Sequence, residues 1–355
     1  MIFKIGRNNF ALTVMVPYDC RNNCAFCTAK EMYRRLGTNV EDVKFQLERA
    51  LKFKCSGYPI VDVVFTGGEP TADLDVLREL IDLVPADNNV YINTTLPARN
   101  FDEFHDLVND EPKIKGINVS RHTPSIDEDR KWLDDAVGDA ALKLINKPIR
   151  INCVLTDEYE QDWRKIVDRW IWVRKDVNPN ISLCFRENFA ALTLDAKVLQ
   201  RENLHNPYTP FLVDLAKEYL FVDHTQCNVC DTTRFMTPGG LVVAYHRGLE
   251  KSSILSPDGN TLEINDLVIF PNGAIGYDWK ENSLKTMCEC EAWFKKTNSL
   301  ARKMFDLSEV KTANTAWGGG YSYFCGGGGS GCGGPVYSSC GGSGLPPCGG
   351  SLSCG

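Results

Sequence analysis

Residues 10–27 read FALTVMVPYDCRNNCAFC, an apolar run followed at once by Cys20, Cys24 and Cys27. The apolar run predicts a buried strand, and the cysteines lie in the loop that leaves it. Three thiolates so close in sequence can face a common point when they bind a metal or an iron-sulfur cluster. A structural zinc site usually has four ligands, and no histidine lies nearby. The spacing therefore favours an iron-sulfur cluster with one open coordination position, over a zinc knuckle or unrelated core cysteines.

The composition is that of a globular protein with a sizeable core. The chain has 355 residues, 43% apolar and 24% charged, with a formal net charge of -7. Because the balance is acidic, we do not expect a nucleic-acid partner. No apolar stretch is long enough to span a membrane, and the start, MIFKIGRNNF, lacks a signal-peptide pattern. We therefore expect a cytoplasmic protein, in which 15 cysteines favour metal or thiol chemistry over disulfides.

Apolar runs alternate with amphipathic segments through the first part of the chain. The predicted strands are 10–16, 60–65, 89–95, 117–120, 150–155 and 181–185. The predicted helices between them are 40–53, 72–84, 101–108, 125–145 and 161–174. Strands that alternate with helices predict a parallel α/β sheet, either open or curled into a partial barrel.

A second motif, Gly67-Gly68-Glu69-Pro70, directly follows the second predicted strand in VVFTGGEPTA. Two glycines allow the backbone to approach a ligand closely, and proline stiffens the chain that leaves the loop. Taken alone, this motif is also compatible with an ordinary turn.

The two motifs together resemble the radical S-adenosylmethionine (radical SAM) superfamily. That resemblance implies a partial (β/α)6 TIM-like barrel over residues 1–205. It also implies that Cys20, Cys24 and Cys27 hold a 4Fe-4S cluster whose fourth iron is chelated by S-adenosylmethionine. Phe26 would then lie near the adenine. The backbone carbonyls of Gly67, Gly68, Glu69 and Pro70, together with the Glu69 carboxylate, would accept hydrogen bonds from the ammonium group.

Further polar residues match the family more loosely. They are Asn93 at the end of the third strand, Ser120 and Arg121 after the fourth, and Asn152 within the fifth. The resemblance places such groups around the ribose and carboxylate of S-adenosylmethionine, although each is also compatible with a cap or turn. The period of two in a strand puts Asn152 and Cys153 on opposite faces. We therefore interpret Cys153, like Cys55 and Cys184, as a packing residue.

A second group of cysteines lies later in the chain, as Cys227 and Cys230 in a CxxC and Cys288 and Cys290 in a CxC. Two close pairs suit a zinc ion or an auxiliary iron-sulfur cluster. The hairpin-like segment 267–279 between them resembles the SPASM and twitch extensions of radical SAM enzymes. The cysteine that commonly follows that hairpin is missing, so exposed thiols in a small α+β cap remain an alternative. We predict that residues 206–311 form this extension.

The last segment, 312–355, has no lysine, arginine, aspartate or glutamate, and it repeats cysteine with glycine. Its five cysteines are Cys325, Cys332, Cys340, Cys348 and Cys354. With so few large apolar residues it cannot offset the entropy of ordering, so we expect a disordered tail. The tail resembles a precursor peptide fused to its own modifying enzyme, and a plain flexible tether is the alternative.

The activity that the resemblance implies is reductive cleavage of S-adenosylmethionine to a 5'-deoxyadenosyl radical, which abstracts hydrogen from a substrate. A low-potential electron donor of the flavodoxin or ferredoxin type would be a partner. We expect a peptide or protein substrate, with the chain's own tail as one candidate. The alternatives are a nucleotide, nucleic-acid or metabolite substrate, or a non-catalytic iron-sulfur or zinc protein.

Overall fold

A computed structural model describes the chain in the segments 2–5, 10–20, 24, 27, 29–52, 54–55, 58–96, 101–121, 142–155, 162–188, 209–227, 230–248, 253–255, 261–264 and 266–277. The strands are β1 Ile2–Ile5, β2 Phe10–Met15, β3 Lys54–Cys55, β4 Tyr58–Thr66, β5 Asn89–Thr94, β6 Ile114–Ser120, β7 Ile149–Leu155, β8 Ile181–Glu187, β9 Leu220–Cys227, β10 Cys230–Met236, β11 Val242–Gly248, β12 Ser253–Leu255, β13 Thr261–Ile264, β14 Asp266–Ile269 and β15 Ile275–Gly276. The helices are α1 Lys30–Leu36, α2 Val40–Leu51, α3 Leu74–Asp82, α4 Phe101–Asp110, α5 Trp163–Asp176 and α6 Pro210–Glu218, with a 3-10 turn at Pro70–Ala72.

The core is one mixed sheet with the order β15-β14-β2-β4-β5-β6-β7-β8-β11-β10-β9, and it does not close. The six predicted strands form its centre, from β2 to β8, and all of them pair in parallel. The predicted α/β class with a partial-barrel core is therefore confirmed. In the described connections, α1 and α2 lie between β2 and β4, α3 between β4 and β5, α4 between β5 and β6, and α5 between β7 and β8, as parallel pairing requires.

Strands from the C-terminal part of the chain extend the parallel run at both edges. β14 pairs in parallel with β2 through Leu267 and Leu12, and β11 pairs in parallel with β8 through His246 and Arg186. The hairpin predicted within 267–279 is present as β14 and β15, which pair antiparallel. Both edges of the six-stranded core are thus covered by chain from the predicted extension.

The two faces of the sheet differ in character because strand side chains alternate. In β7, Ile149, Ile151 and Cys153 belong to the main apolar core, whereas Arg150 and Asn152 do not. That core includes Trp170 of α5, so the apolar face is the one covered by helices. The opposite face carries buried polar side chains such as Arg150 and Asn152, and we call it the polar face. The prediction that Cys153 packs in the core is confirmed.

The chain that leaves β4 is fixed by two capping interactions. The Glu69 carboxylate accepts from the amide of Thr71, and the Asp73 carboxylate accepts from the amide of Val76 at the start of α3. Such caps contribute about 1 kcal/mol each. They hold the Gly67-Gly68 loop in one conformation at the carboxyl edge of the sheet.

Several sequence predictions fall outside the described residues. These are Phe26, Cys288, Cys290, the tail 312–355 and most of the helix predicted at 125–145. Among the helices that are described, none has the length and apolar character that crossing a bilayer requires.

Candidate active site

The two sequence motifs meet at the carboxyl edge of the parallel sheet. Cys20 follows β2, and the Gly67-Gly68 loop follows the neighbouring strand β4. Loops at this edge are where ligands bind in parallel α/β sheets. The candidate site is therefore the space above β2, β4 and their neighbours.

The three cysteines of the first motif are thiols, and Cys24 is buried. The Cys27 amide donates to the Cys24 carbonyl at 3.2 Å, which closes a tight turn. The Cys24 side chain packs against Cys27 and against Val154 of β7. Within the described part of the chain, no three ligand side chains are arranged around a single metal ion.

Tyr33 of α1 connects the chain between β2 and the cysteine motif to the second motif. Its buried hydroxyl donates to the Val16 carbonyl at 2.8 Å and accepts from the Gly68 amide at 2.5 Å. Burial raises the pKa of the Tyr33 phenol above its ordinary value, and the acidic side chains of Asp19 and Cys20 raise it further. The phenol therefore stays protonated and keeps both hydrogen bonds. Sequence analysis missed this residue, because a single tyrosine on a short helix carries no pattern.

Substitution Tyr33→Phe is expected to loosen the Gly68 loop without removing any cluster ligand. The Val16 carbonyl and the Gly68 amide would each lose a buried partner, which costs about 1 to 3 kcal/mol of unfolding free energy. If this loop binds S-adenosylmethionine, as the family resemblance implies, we expect the KM for S-adenosylmethionine to rise more than kcat falls. Chemical denaturation and steady-state kinetics measure the two effects, with Tyr219→Phe, on a half-buried phenol elsewhere, as the matched control. An unchanged KM in Tyr33→Phe would contradict this role.

The two glycines of the second motif are packed against the chain around the cysteines. Gly67 has a φ of +99°, and a Cβ there would come within 2.9 Å of the Met15 Cβ. A Cβ on Gly68 would overlap the Tyr18 carbonyl oxygen and lie 3.0 Å from the Asp19 carbonyl carbon. The Tyr18 hydroxyl in turn lies 2.8 Å from the Pro70 carbonyl oxygen. Only glycine allows the two loops to approach this closely.

Glu69 is buried at the centre of a cluster of threonines. Its Oε1 accepts from the Thr71 amide at 3.1 Å, the Thr71 hydroxyl at 2.7 Å and the Thr94 hydroxyl at 2.5 Å. Its Oε2 accepts from the Thr95 amide at 2.8 Å and the Thr95 hydroxyl at 2.6 Å. The carboxylate therefore ties the loop after β4 to the end of β5.

Substitution Glu69→Gln is expected to destabilise the fold, because the new amide group places a donor where threonine donors already converge. One or more hydrogen bonds to a charged group would be lost, at a cost of about 3 kcal/mol in unfolding free energy. Urea denaturation measures this loss. As the control, Glu48→Gln, on an exposed carboxylate that lies 4.0 Å from the Lys52 ammonium, should change stability by less than about 0.5 kcal/mol. Equal effects of the two substitutions would contradict the role of Glu69.

The loosely matched residues are all buried, and they lie within or directly after neighbouring strands. Asn118, which sequence analysis missed, donates through Nδ2 to the Asn93 Oδ1 at 2.6 Å. Ser120 and Asn152 are register partners on β6 and β7. The Arg121 guanidinium donates to the Ser120 carbonyl at 2.9 Å and also to the Thr95 carbonyl. The structure thus brings these five polar residues to the same edge as the two motifs.

These residues fit a 4Fe-4S cluster and S-adenosylmethionine. Each cysteine of a cubane binds a different iron, so the thiols need not surround one point as the ligands of a single ion do. In the described segments, the Oδ1 atoms of Asn118 and Asn152 are buried without a hydrogen-bond partner. They are acceptors of the kind that an ammonium group or ribose hydroxyls require.

Of the second cysteine group, the structure describes Cys227 and Cys230. Cys227 and Cys230 are backbone partners across the turn between β9 and β10. Cys230 is buried and disulfide-bonded. Cys288 and Cys290 lie in the part of the chain that is not described.

Comparison with known proteins gives one family match. The model of the Radical SAM superfamily matches residues 14–168, which include both motifs. A comparison with curated proteins gave no match. Among solved structures, SuiB of Streptococcus suis bound to S-adenosylmethionine is 14% identical, with a TM-score of 0.49, over 81% of this chain and 66% of that one. The structure of anSMEcpe with bound AdoMet and Cp18Cys peptide is 15% identical, with a TM-score of 0.38, over 55% of this chain and 58% of that one.

The chain spans slightly less than two thirds of the length of SuiB. The matched segment begins in β2 and ends within α5, and it contains the whole candidate site up to Asn152. Residues 14–168 of this chain therefore belong to the Radical SAM superfamily.

Proposed function

We propose that this protein cleaves S-adenosylmethionine reductively at a 4Fe-4S cluster held by Cys20, Cys24 and Cys27. The observation that carries the proposal is the hydrogen-bonded contact through Tyr33 between Val16, which precedes the cysteine motif, and Gly68 of the second motif. It supports a single site in which thiols and the Gly67-Gly68 backbone act on one ligand. The chemistry that the bound cluster and S-adenosylmethionine supply is one-electron cleavage to methionine and a 5'-deoxyadenosyl radical.

The protein's own residues orient the reactants. The five hydrogen bonds that Glu69 already accepts leave the loop carbonyls as the acceptors for the ammonium group. The side-chain oxygens of Asn118 and Asn152 are suited to accept from the ribose or ammonium, and the Arg121 guanidinium lies beside them at Ser120. Phe26 would pack near the adenine. A flavodoxin or ferredoxin would deliver the electron.

The proposal is tested by reconstituting the full chain anaerobically with iron and sulfide. With S-adenosylmethionine and dithionite, we expect 5'-deoxyadenosine and methionine in equal amounts. Omission of dithionite should abolish both products. A protein that binds iron and sulfide but forms no 5'-deoxyadenosine would contradict the proposed activity and favour a non-catalytic iron-sulfur protein.

For the substrate, we propose a peptide or protein that is modified at cysteine or at a neighbouring carbon. Two features support this choice. The β14 to β15 hairpin lies where the family resemblance suggests a twitch-like extension. The segment 312–355 carries cysteines in a glycine-rich sequence that resembles a precursor peptide.

Mass spectrometry of the reconstituted protein tests whether the tail is the substrate. A crosslink between a cysteine sulfur and a carbon would lower the mass of the tail by two hydrogens per link after turnover. The same protein kept without S-adenosylmethionine is the control. An unchanged tail under turnover would exclude modification in cis and leave a peptide supplied in trans.

We also propose that Cys227, Cys230, Cys288 and Cys290 form an auxiliary site for iron-sulfur or zinc. Binding would require the Cys230 disulfide to be reduced first. Iron and zinc are counted after reconstitution in a variant in which Cys20, Cys24 and Cys27 are replaced by alanine. Iron or zinc that remains in this variant, and is lost when Cys227 and Cys230 are also replaced, supports the site. A variant without either metal would contradict it.

A further inference from the structure

Strand β9, Leu220–Cys227, forms one edge of the large sheet. It comes last in the strand order, and among the strands that the structure describes it pairs with β10 alone. Its outward N–H and C=O groups can therefore accept a further strand. Edge strands of soluble proteins are usually short, charged or covered, because an open edge is a template for pairing. At eight residues, β9 is a long edge.

Three consecutive apolar residues at the start of β9 are exposed to solvent. Leu220 is 74% exposed, Phe221 57% and Val222 44%. They make up half of the large apolar side chains that are exposed in the described part of the chain, and we call them the edge patch. Leu220 and Phe221 lie on opposite faces of the sheet, beside Met236 and Phe235 of β10. An added strand would therefore bury apolar surface on both faces.

The polar residues of β9 do not protect this edge. The strand contains neither lysine nor proline, which commonly guard edge strands. Asp223 pairs with Arg234 at 2.7 Å, and His224 Nε2 lies 3.0 Å from the buried Asp231 carboxylate. A bulge at Val222 interrupts the register with β10, but this residue is itself apolar and exposed. Because the charged groups are matched within β9 and β10, the edge suits an uncharged partner.

The tail of this chain has the chemistry that such a partner needs. It is uncharged throughout, and residues 321–324 read YSYF between two runs of glycine. Aromatic residues favour strands and glycine disfavours them, so the glycines would limit a strand to this short segment. In that strand Tyr321 and Tyr323 would lie on one face and Phe324 on the other. Both faces would then carry an aromatic ring to cover the edge patch.

The chain is long enough to bring this segment to β9. The described residues end at Tyr277, after β15 at the opposite edge of the sheet. Eleven strands at the usual spacing are roughly 48 Å wide along the sheet. At half of full extension, residues 278–320 span about 70 Å. The tail can therefore dock in cis.

Strand β9 runs toward the candidate active site. Cys227 is the register partner of Cys230, and Cys230 is the register partner of Gly248 at the end of β11. Because β11 is parallel to β8, β9 ends at the carboxyl edge of the sheet. A strand added parallel to β9 would direct the later cysteines of the tail to that edge.

The distance along this edge matches the spacing of the tail cysteines. β9 lies four strands from β7, which packs against Cys24. Four strand spacings amount to roughly 19 Å. A flexible segment of the length of 325–339 spans roughly 20 Å. Docking of residues 321–324 would therefore place Cys340 within reach of the candidate site.

We propose that residues 321–324 add to the edge of β9 as a parallel strand and so anchor the tail to the protein. This inference rests on the proposed function, since it makes the tail an attached substrate of the S-adenosylmethionine site. Hydrogen bonds between the two backbones provide the attachment. Contacts between the aromatic rings and the edge patch select this segment over the glycine-rich remainder of the tail.

Photo-crosslinking tests the docking in the full chain under reducing conditions. The probe is p-benzoylphenylalanine in place of Val222. On illumination we expect a crosslink within one chain, which tandem mass spectrometry places in residues 321–324. The matched control carries the probe in place of Phe45, an apolar residue of α2 that is 53% exposed. The control should give no crosslink to the tail.

Proline in the tail tests the backbone pairing without altering the folded part of the chain. Alternate amides of a strand face the same neighbour, so Ser322→Pro combined with Tyr323→Pro removes a donor toward β9 in either register. We expect the yield of the crosslink at position 222 to fall about tenfold. Ser338→Pro combined with Ser339→Pro is the matched control and should leave the yield unchanged. Both double variants keep every cysteine of the tail.

Several results would overturn the proposal. A crosslink between two chains that is lost on dilution would assign the edge to a second copy. A crosslink to another segment of the same chain, or none, would remove the tail from β9. Equal yields in the two double-proline variants would exclude strand pairing. Crosslinks to the tail from position 45 as well would show contact without a docking site.

A failure of this test is distinguishable from a failure of the proposed function. The crosslink needs neither cluster nor turnover, so it can fail while 5'-deoxyadenosine still forms. Conversely, a docked tail in a protein that never cleaves S-adenosylmethionine would retain the strand pairing and remove its assignment to a radical enzyme.

Discussion

Replacement of Cys24 by alanine is expected to abolish formation of 5'-deoxyadenosine. Cys24 is buried between Cys27 and Val154, at the point where the cysteine loop contacts the sheet. Without its thiolate, the proposed cluster would keep two protein ligands, and iron bound after reconstitution should fall with the activity. Iron analysis and chromatography of the nucleoside product measure the two losses.

Cys153→Ala is the matched control for this prediction. Cys153 is also buried, but it lies in the apolar core on the opposite face of β7, and burial raises the pKa of its thiol. The Cys153→Ala protein should therefore bind as much iron as wild type and keep its activity per folded molecule. The cavity left in the core should lower its stability by about 1 kcal/mol or more. Full activity in Cys24→Ala would remove this residue from the site.

Gly68→Ala is expected to reduce cleavage of S-adenosylmethionine by about 100-fold or more. The added methyl would overlap the Tyr18 carbonyl, which is backbone and cannot rotate away. Either the loop after β4 or the chain between β2 and Cys20 must move, and the hydrogen bond from the Gly68 amide to Tyr33 would be strained. Because the substitution leaves every thiol in place, iron should bind while turnover falls. Steady-state kinetics with iron analysis separates these effects.

Gly240→Ala provides the comparison for the effect of a methyl group alone. Gly240 lies in the turn between β10 and β11 with a φ of +76°, and nothing lies within 4 Å of a Cβ built there. Alanine at this position costs about 1 kcal/mol of backbone strain but causes no clash. We expect unchanged turnover in Gly240→Ala. Equal turnover in the two variants would contradict the packing role of Gly68.

The apolar runs and the alternation of side chains along them correctly predicted the six parallel strands at the centre of the sheet. The alternation of Ile151, Asn152 and Cys153 assigned the two faces of β7 because period two is a property of the strand itself. The observed β6 starts at Ile114, before the predicted position 117, since Lys115 and Gly116 interrupt the apolar run. Helix α1 was missed because it is short.

Long-range pairings could not be predicted in this way. Nothing in the sequence around His246 indicates that β11 pairs with β8, or that β14 pairs with β2. For the same reason, the hydrogen bonds that the Glu69 carboxylate makes within the protein could not be predicted. The structure shows that its oxygens already accept from Thr94 and Thr95, which come from a different strand. These contacts depend on the register of β4 and β5.

Electron paramagnetic resonance of the reduced cluster tests the central claim most directly, namely that Cys20, Cys24 and Cys27 hold a cluster to which S-adenosylmethionine binds. In dithionite-reduced wild type, we predict a signal of a reduced 4Fe-4S cluster that changes when S-adenosylmethionine is added. The signal that responds to S-adenosylmethionine should be absent when the three cysteines are replaced by alanine. A cluster signal that S-adenosylmethionine leaves unchanged, or a responsive signal that survives the replacement, would contradict the account.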